Sequence, residues 1–304
     1  MSEVMVAGIA ALAVVLLSFA QDAFPGLAFY HTWQYALALA VGIVLAANYA
    51  MRRRRYRLAM LGIAAVGLAG LYAGLAGADT ALLMRGPGQT VHAAGGAVVH
   101  FPITDAQQVR AGTAVLDVAG RGPLRPGGRS YADSSVLISQ MHPAAYIDAY
   151  DAAGRHLTIT QPQGTSFLSP LLLFPSQARL RDRTYAIDVF ALPALSQTVQ
   201  AFYFTPADIA AVQHVAPPRD AAVLVALTGR NRALVPHGIA FLRQGAASDV
   251  GGVHLTASIG HYPVLVVASA PWPPLLIGGA LLAIAGVLMR RRKENGALSA
   301  DGAA

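Results

Sequence analysis

Nine histidines make up the reactive inventory of the sequence: His31, His92, His100, His142, His156, His214, His237, His254 and His261. Imidazole changes charge near neutral pH and is the commonest neutral metal ligand, so these positions bound the proton transfer or metal ligation open to the chain. Cysteine is absent, which removes disulfides, thiol redox chemistry, cysteine-held zinc or iron–sulfur centres, and haem attached through C-x-x-C-H. Glutamate stands only at Glu3 and Glu294, so carboxylate chemistry in the middle of the chain falls to aspartate. The close acidic couple Asp148 and Asp151 reads as solvated turn residues. There is no G-x-S-x-G elbow, H-E-x-x-H helix, Walker loop or strand-linked G-x-G-x-x-G. Gly120-Arg121-Gly122-Pro123 is glycine-rich, but Pro123 has no N–H for a phosphate, and the run reads as a surface turn. A hydrolase would need an Asp and His site assembled from distant strands.

The elements that position these residues are those of a membrane protein. Of 304 residues, 55% are hydrophobic and 12% charged, with a mean hydropathy of +0.49, too apolar for an ordinary soluble domain. Four apolar runs read as crossings, at residues 4–21, 33–51, 58–78 and 270–289. The first has Glu3 but no Lys or Arg before it, so it lacks the basic start of a signal peptide and reads as a retained helix. Pro271, Trp272, Pro273 and Pro274 mark the entry to the fourth, where proline is tolerated in a first turn and tryptophan favours the interface.

The formal charge of +7 sits largely at two basic clusters, Arg52 to Arg57 and Arg290 to Lys293. Residues 79–249 carry thirteen arginines against eleven aspartates, which offers no basic face for nucleic acid. Basic clusters are retained on the cytoplasmic side. Four crossings then place residues 79–269 outside and the tail at 290–304, basic and then small, polar and unstructured, inside. Runs at 97–103, 113–118, 135–139, 185–190, 198–204, 221–227 and 253–259 are rich in β-branched or aromatic residues between Gly, Pro and Asp. Segments 146–150 and 156–160 flank Asp151 to Gly154 as a hairpin, and residues 207–211 as a short helix. The fold class is therefore four transmembrane α-helices, three N-terminal and one C-terminal, with a large extracytoplasmic β-rich, sandwich-like domain.

No histidine lies in an apolar crossing. His31 sits among Phe29, Tyr30 and Trp33, an aromatic belt at the outer surface. His92, His100 and His261 lie near the ends of the outer segment, where neutral imidazole can ligate haem iron. Gly67, Gly70, Gly74 and Gly77 fall on one face of the third crossing and allow a second helix to approach closely.

In order, three crossings, one large outer β-rich segment and a last crossing with basic links resemble the ResB (CcsB) family of System II cytochrome c biogenesis proteins. Tyr30-His31-Thr32-Trp33 leading to Ala47-Asn48 and Arg52 to Arg55 resembles that family's second crossing. Leu75 to Asp79, followed by Gly86-Pro87-Gly88-Gln89-Thr90-Val91, resembles its exit into the first outer strand. Gly252 to Thr256 and Ala268-Ser269-Ala270-Pro271 resemble its last strand and final helix entry. The chain departs from the family in having no histidine in the third crossing and no cysteine near the end of the second. The resemblance implies a non-catalytic subunit of the bacterial-type cytoplasmic membrane. It would work with a ResC (CcsA)-like membrane protein to present haem to apocytochrome c, with a thioredoxin-like reductant acting indirectly. Haem would be shared with the partner, and His31, His92 and His261 are the haem-proximal candidates. The alternative reading is a membrane-anchored scaffold or sensor whose β-domain has no haem role.

Overall fold

The computed structural model describes residues 31–301 apart from 78–79, 162–169, 181–182, 214–215 and 232, and before them Leu16 and Ala20. The expected crossing at 4–21 and His214 thus fall outside the described residues, except for those two positions.

Helix α1 runs from Trp33–Arg52, with the Thr32 hydroxyl accepting the Tyr35 N–H at its N-cap. A short 3-10 turn at Arg54–Tyr56 reverses the chain into α2, Arg57–Ala76. Both helices are long and apolar enough to cross a membrane. At twenty residues, each spans about 30 Å, matching a hydrocarbon core of roughly 30 Å. Helix α1 is mostly exposed, with Leu37, Val41, Val44 and Leu45 all at the surface. An apolar face of that extent marks a surface that meets lipid or protein.

The chain then enters a large β-rich region: β1 (Ala81–Leu83), β2 (Thr90–His92), β3 (Val98–His100), a one-turn helix α3 (Ala106–Ala111), β4 (Leu116–Val118), β5 (Gly122–Leu124), β6 (Arg129–Ala132) and β7 (Ser135–Tyr150). There follow β8 (Leu171–Leu172), β9 (Ser176–Leu180), β10 (Arg183–Leu192), β11 (Gln197–Phe204), α4 (Pro206–Gln213), β12 (Ala222–Thr228), β13 (Leu234–Arg243), β14 (Ala247–Val250) and β15 (Val253–Ser269). Helix α5, Pro273–Asp301, closes the described chain.

The spine of this region is β7 against β15, antiparallel over sixteen residue pairs from His254↔Tyr150 to Ser269↔Ser135. At about 3.3 Å per residue that ladder is about 50 Å long. Strands β1, β6, β8 and β14 extend it into a six-stranded sheet, β9 to β13 form a five-stranded antiparallel meander, and β2 to β5 form a four-stranded sheet. The half of the ladder near the helices packs Leu137, Leu265 and Val267 against Val99, Leu116 and Val118 of the small sheet. The far half packs Ile147, Ala149, Leu255 and Ala257 against Phe190, Val199, Val225 and Leu242 of the meander. Two sandwiches therefore share one sheet. Helix α3 is fixed by a capping box between Asp105 and Gln108 and lies directly on Gly260, where a Cβ would strike the Val109 carbonyl.

The structure differs from the sequence reading in particular places. The strands expected at 135–139 and 146–150 are the two ends of the single strand β7, and the one expected at 253–259 continues to Ser269, where the apolar run Val264 to Ala268 is buried on both faces and breaks the alternation. The expected hairpin after Tyr150 reduces to one bridge, Tyr150↔His156, and Thr160 bridges Ala191 instead. The loop expected at 120–129 contains β5. The short helix expected at 207–211 is present as α4. At the fourth apolar run, strand geometry persists through Ser269 and Ala270 donates to the Ser134 carbonyl, so α5 starts at Pro273 rather than 270. Its apolar part, Pro273–Met289, is shorter than α1 or α2, and its backbone stays helical to Asp301 where composition predicts an unstructured tail.

Helix α2 packs against both α1 and α5. On the α5 side the backbones almost touch: a Cβ at Gly62 would collide with Ala283 and Gly279, and one at Gly286 with Ala59. On the α1 side the predicted glycine face meets side chains, Gly67 against Ile43 and Gly70 against Leu39 and Tyr35. Side chains can yield where backbone cannot. Replacement Gly62→Ile is therefore expected to cost at least the roughly 1–3 kcal/mol of overpacking and to exceed Gly70→Ala, while Gly42→Ala, with nothing within 4 Å, stays neutral. Thermal unfolding in detergent orders the three variants; equal effects at Gly62 and Gly42 would refute the close crossing.

Candidate functional site

The polar groups with the most constrained geometry gather where α2 ends and the ladder begins. The last carbonyls of a helix have no intrahelical donor. In α2 the Ala73 carbonyl takes the Gly77 N–H at 3.0 Å, the Gly74 carbonyl takes His31 Nδ1 at 3.0 Å, and the Ala76 carbonyl takes the Ser134 hydroxyl at 2.9 Å. Two of these donors come from outside the helix and its own flank. His31 Nε2 lies 2.6 Å from Ser269 Oγ; with Nδ1–H donating to Gly74, Nε2 accepts the serine proton. The Tyr72 hydroxyl donates to Asp133 Oδ2 at 3.0 Å. Asp133 takes a positive φ of 52° in the tight turn between β6 and β7, which presents Ser134 to the helix end. Gly77 leaves no room for a side chain, since a Cβ there would meet Ser269 and the Ala73 carbonyl.

Ser269 and His31 have the spacing of a nucleophile and its base, but Ser269 is 2% exposed and lies in the ladder, closed to any substrate. The His31 Nδ1–H to carbonyl bond is also the arrangement that orients a metal-bound imidazole, and in this structure Nε2 is engaged by serine. His92 is exposed at the end of β2, opposite Val98. His261 is exposed on β15, opposite Pro143. Eight strand residues, about 26 Å, separate His261 from Ser269 and so from His31, while His92 belongs to a different sheet. His31 and His261 therefore do not share a site. Of the glycine stripe, Gly67 and Gly70 face α1, the Gly74 carbonyl holds His31, and Gly77 admits Ser269. No group of three or more His, Asp or Glu is placed to hold a metal among the described residues.

Two further clusters escaped the sequence reading. On the outer face of the far ladder, His156, Tyr150, His254 and Asp249 form one cross-strand row. His254 Nδ1 lies 2.9 Å from Asp249, and His156 Nε2 lies 3.7 Å from Asp148. The alternation of Tyr146, Asp148 and Tyr150 with buried Ile147 and Ala149 was the signal available. Asp151 is the turn residue the sequence suggests: its carboxylate accepts from the Ala153 and Arg155 backbones and from Arg155 Nε, and the Arg155 amide chiefly holds its carboxyl below the usual range.

Inside the fold, buried Asp188 accepts the Leu173 N–H at 2.8 Å, the Phe174 N–H at 3.3 Å and its own neighbour Val189 at 2.8 Å. Burial pushes its carboxyl up and those amides pull it back down. His142 lies beside the same Leu173–Phe174 backbone; burial pulls its pKa below the ordinary value and neighbouring His261 adds to that, while the two backbone groups act in the other direction. Asp188 pins the segment that joins β8 to β9 across the sandwich, where Phe174 is held at a φ of 50°.

These features define a helix-bearing β-rich protein whose polar assembly joins the helix ends to the long ladder. No family model matches the chain, and neither a curated protein nor a solved structure matches it.

The linkage has opposite signs at buried Asp188 and half-buried His142. Asp188 binds its proton more tightly folded than unfolded, so stability falls as pH rises from the unfolded carboxylate value, about 3.9, through its raised folded value. His142 binds its proton less tightly folded, so stability is lost as pH falls from about 6.5 toward its lowered folded value. Denaturant titrations across this range are expected to lose the first slope in Asp188→Asn and the second in His142→Gln; unchanged slopes would contradict the assignments. Asp188→Ala strands the Leu173 and Phe174 amides, at about 1–3 kcal/mol each.

Proposed function

We propose that this chain is a multi-pass membrane protein that holds its β-domain on the extracytoplasmic side and serves cytochrome c maturation as a ResB-like, non-catalytic subunit. One observation carries the topological half of this reading. The start of α1, the end of α2 and the start of α5 all lie at the joint, so Arg52 to Arg57 and Arg290 to Lys293 belong to the opposite ends of the helices. Two basic clusters at one level, and a β-domain at the other, fit retention of the arginines inside. With the run at 4–21 as a further crossing, the helices number four.

The functional half rests on the resemblance in layout. Haem ligation to an apocytochrome takes thiolates from the substrate, so a subunit without cysteine can present the two reactants without contributing a nucleophile. The ResC-like partner would bring the haem, the exposed helix faces would dock that partner, and the β-domain would hold the apocytochrome. A strain lacking this chain is expected to lose haem-stained c-type cytochromes, and the tagged chain to co-purify with a ResC-like protein. Normal cytochrome content in that strain would remove the reading. The scaffold or sensor without a haem role is favoured by one observation, the engagement of both ring nitrogens of His31 in the joint. A Soret band in the purified complex that weakens in His31→Ala supports the haem role over the scaffold; a band indifferent to His31, His92 and His261 places the ligands in the partner.

A further inference from the structure

The end of the β-domain nearest the helices carries an apolar sheet face with amphipathic edges. In one cross-strand row Leu82, Val266, Ile138 and Arg129 are neighbours, and in the next row towards the helices Ala268, Val136 and Tyr131. The centre of this face is buried, with Val136, Ile138, Val266 and Ala268 in one cluster. Its two edges are exposed, Leu82 at 50% and Tyr131 at 39%, with Arg129 exposed beside Tyr131. A leucine, a tyrosine and an arginine within two adjacent rows are the residue types that suit the boundary between hydrocarbon and headgroup.

Position decides what meets them. Tyr131 pairs with Val136, one residue from the ladder end at Ser135, and Leu82 pairs with Val266, three residues from Ser269. That is about 3 Å and 10 Å along the strands. The joint fixes this end of the ladder to the last carbonyls of α2, and the chain's two tryptophans, Trp33 at the start of α1 and Trp272 just before α5, are exposed at the same level. A bilayer adds a headgroup layer of about 5–8 Å on each side of its hydrocarbon core. A domain tied to the helix ends through Ser134 and Ser269 is held within reach of that layer.

We infer that the proximal edges of the β-domain, at Leu82, Arg129 and Tyr131, are a lipid-contact surface seated in the outer-leaflet headgroup layer. The occupant is phospholipid: the leucine and the tyrosine ring enter the acyl boundary and the guanidinium and phenol meet phosphate and glycerol. This rests on the membrane-spanning reading above and adds that the β-domain itself, and not only its helices, touches the membrane.

The two native tryptophans make the test direct. The full chain is reconstituted in phosphatidylcholine vesicles carrying lipids with a nitroxide either shallow or deep in the acyl chain, and tryptophan emission is recorded. In the unaltered protein, quenching of Trp33 and Trp272, stronger with the shallow label, establishes the depth of the helix ends. In a background with both replaced by phenylalanine, Leu82→Trp and Tyr131→Trp are each expected to be quenched by the shallow label more than by the deep one. Leu234→Trp, on the far meander, is expected to keep full emission. If the helix-end tryptophans are quenched but Leu82→Trp and Tyr131→Trp behave like Leu234→Trp, the domain stands clear of the bilayer and this inference is overturned alone. If neither native tryptophan is quenched, the membrane-spanning reading falls and takes the inference with it.

Discussion

The carbonyls at the end of α2 set the terms for the rest of the molecule. A helix end that meets a folded domain loses water, and each unpaired carbonyl there carries a desolvation cost of about 1–3 kcal/mol. Here the donors are supplied by His31 and Ser134, and Ser269 holds the far side of the imidazole. The consequence is geometric. Segments from before α1, from the β6–β7 turn and from the last residue of β15 must all arrive at one point, which fixes the ladder on the helices and sets the direction in which the β-domain stands.

From that point the architecture follows by extension. Strand β15 leads through Ala270 to Trp272 into α5, and β1, shortly after α2, pairs with the last part of the same strand. Entry to and exit from the domain are thus hydrogen-bonded neighbours. A single sheet about 50 Å long then serves two cores, one against the small sheet and one against the meander. Asp188 ties the crossing segment between them at the cost of burying a carboxyl group. Exposed polar chemistry, the His156–Tyr150–His254–Asp249 row, lies at the far end of that sheet.

Much of this is legible in the residues. The runs that became α1 and α2 are uninterrupted and bounded by Thr32, arginines and Gly77, and most short strands fall where β-branched residues lie between glycines and prolines. The ladder's length was hidden because both of its faces are covered near the helices, so Val264 to Ala268 shows no period-two alternation and resembles the start of a helix. The role of His31 was hidden for a different reason: its partners are a backbone carbonyl 43 residues away and a serine 238 residues away, and neither leaves a mark in local sequence. The glycine stripe of α2 was visible as a helical face, whereas Gly62, which makes the closer approach to α5, lies off that stripe and lacks a partner at the same spacing.

The central claim is that one set of helices carries this domain outward while its basic ends remain within the cell. The chain has no cysteine of its own, so a single introduced thiol reports its side of the membrane without background. With cysteine at Gly154, in the exposed turn beyond β7, and separately at Gly296, beyond the basic cluster on α5, intact cells are treated with a membrane-impermeant maleimide. The account predicts modification of Gly154→Cys in intact cells and of Gly296→Cys only after lysis. The reverse pattern, or protection of both until lysis, would contradict it.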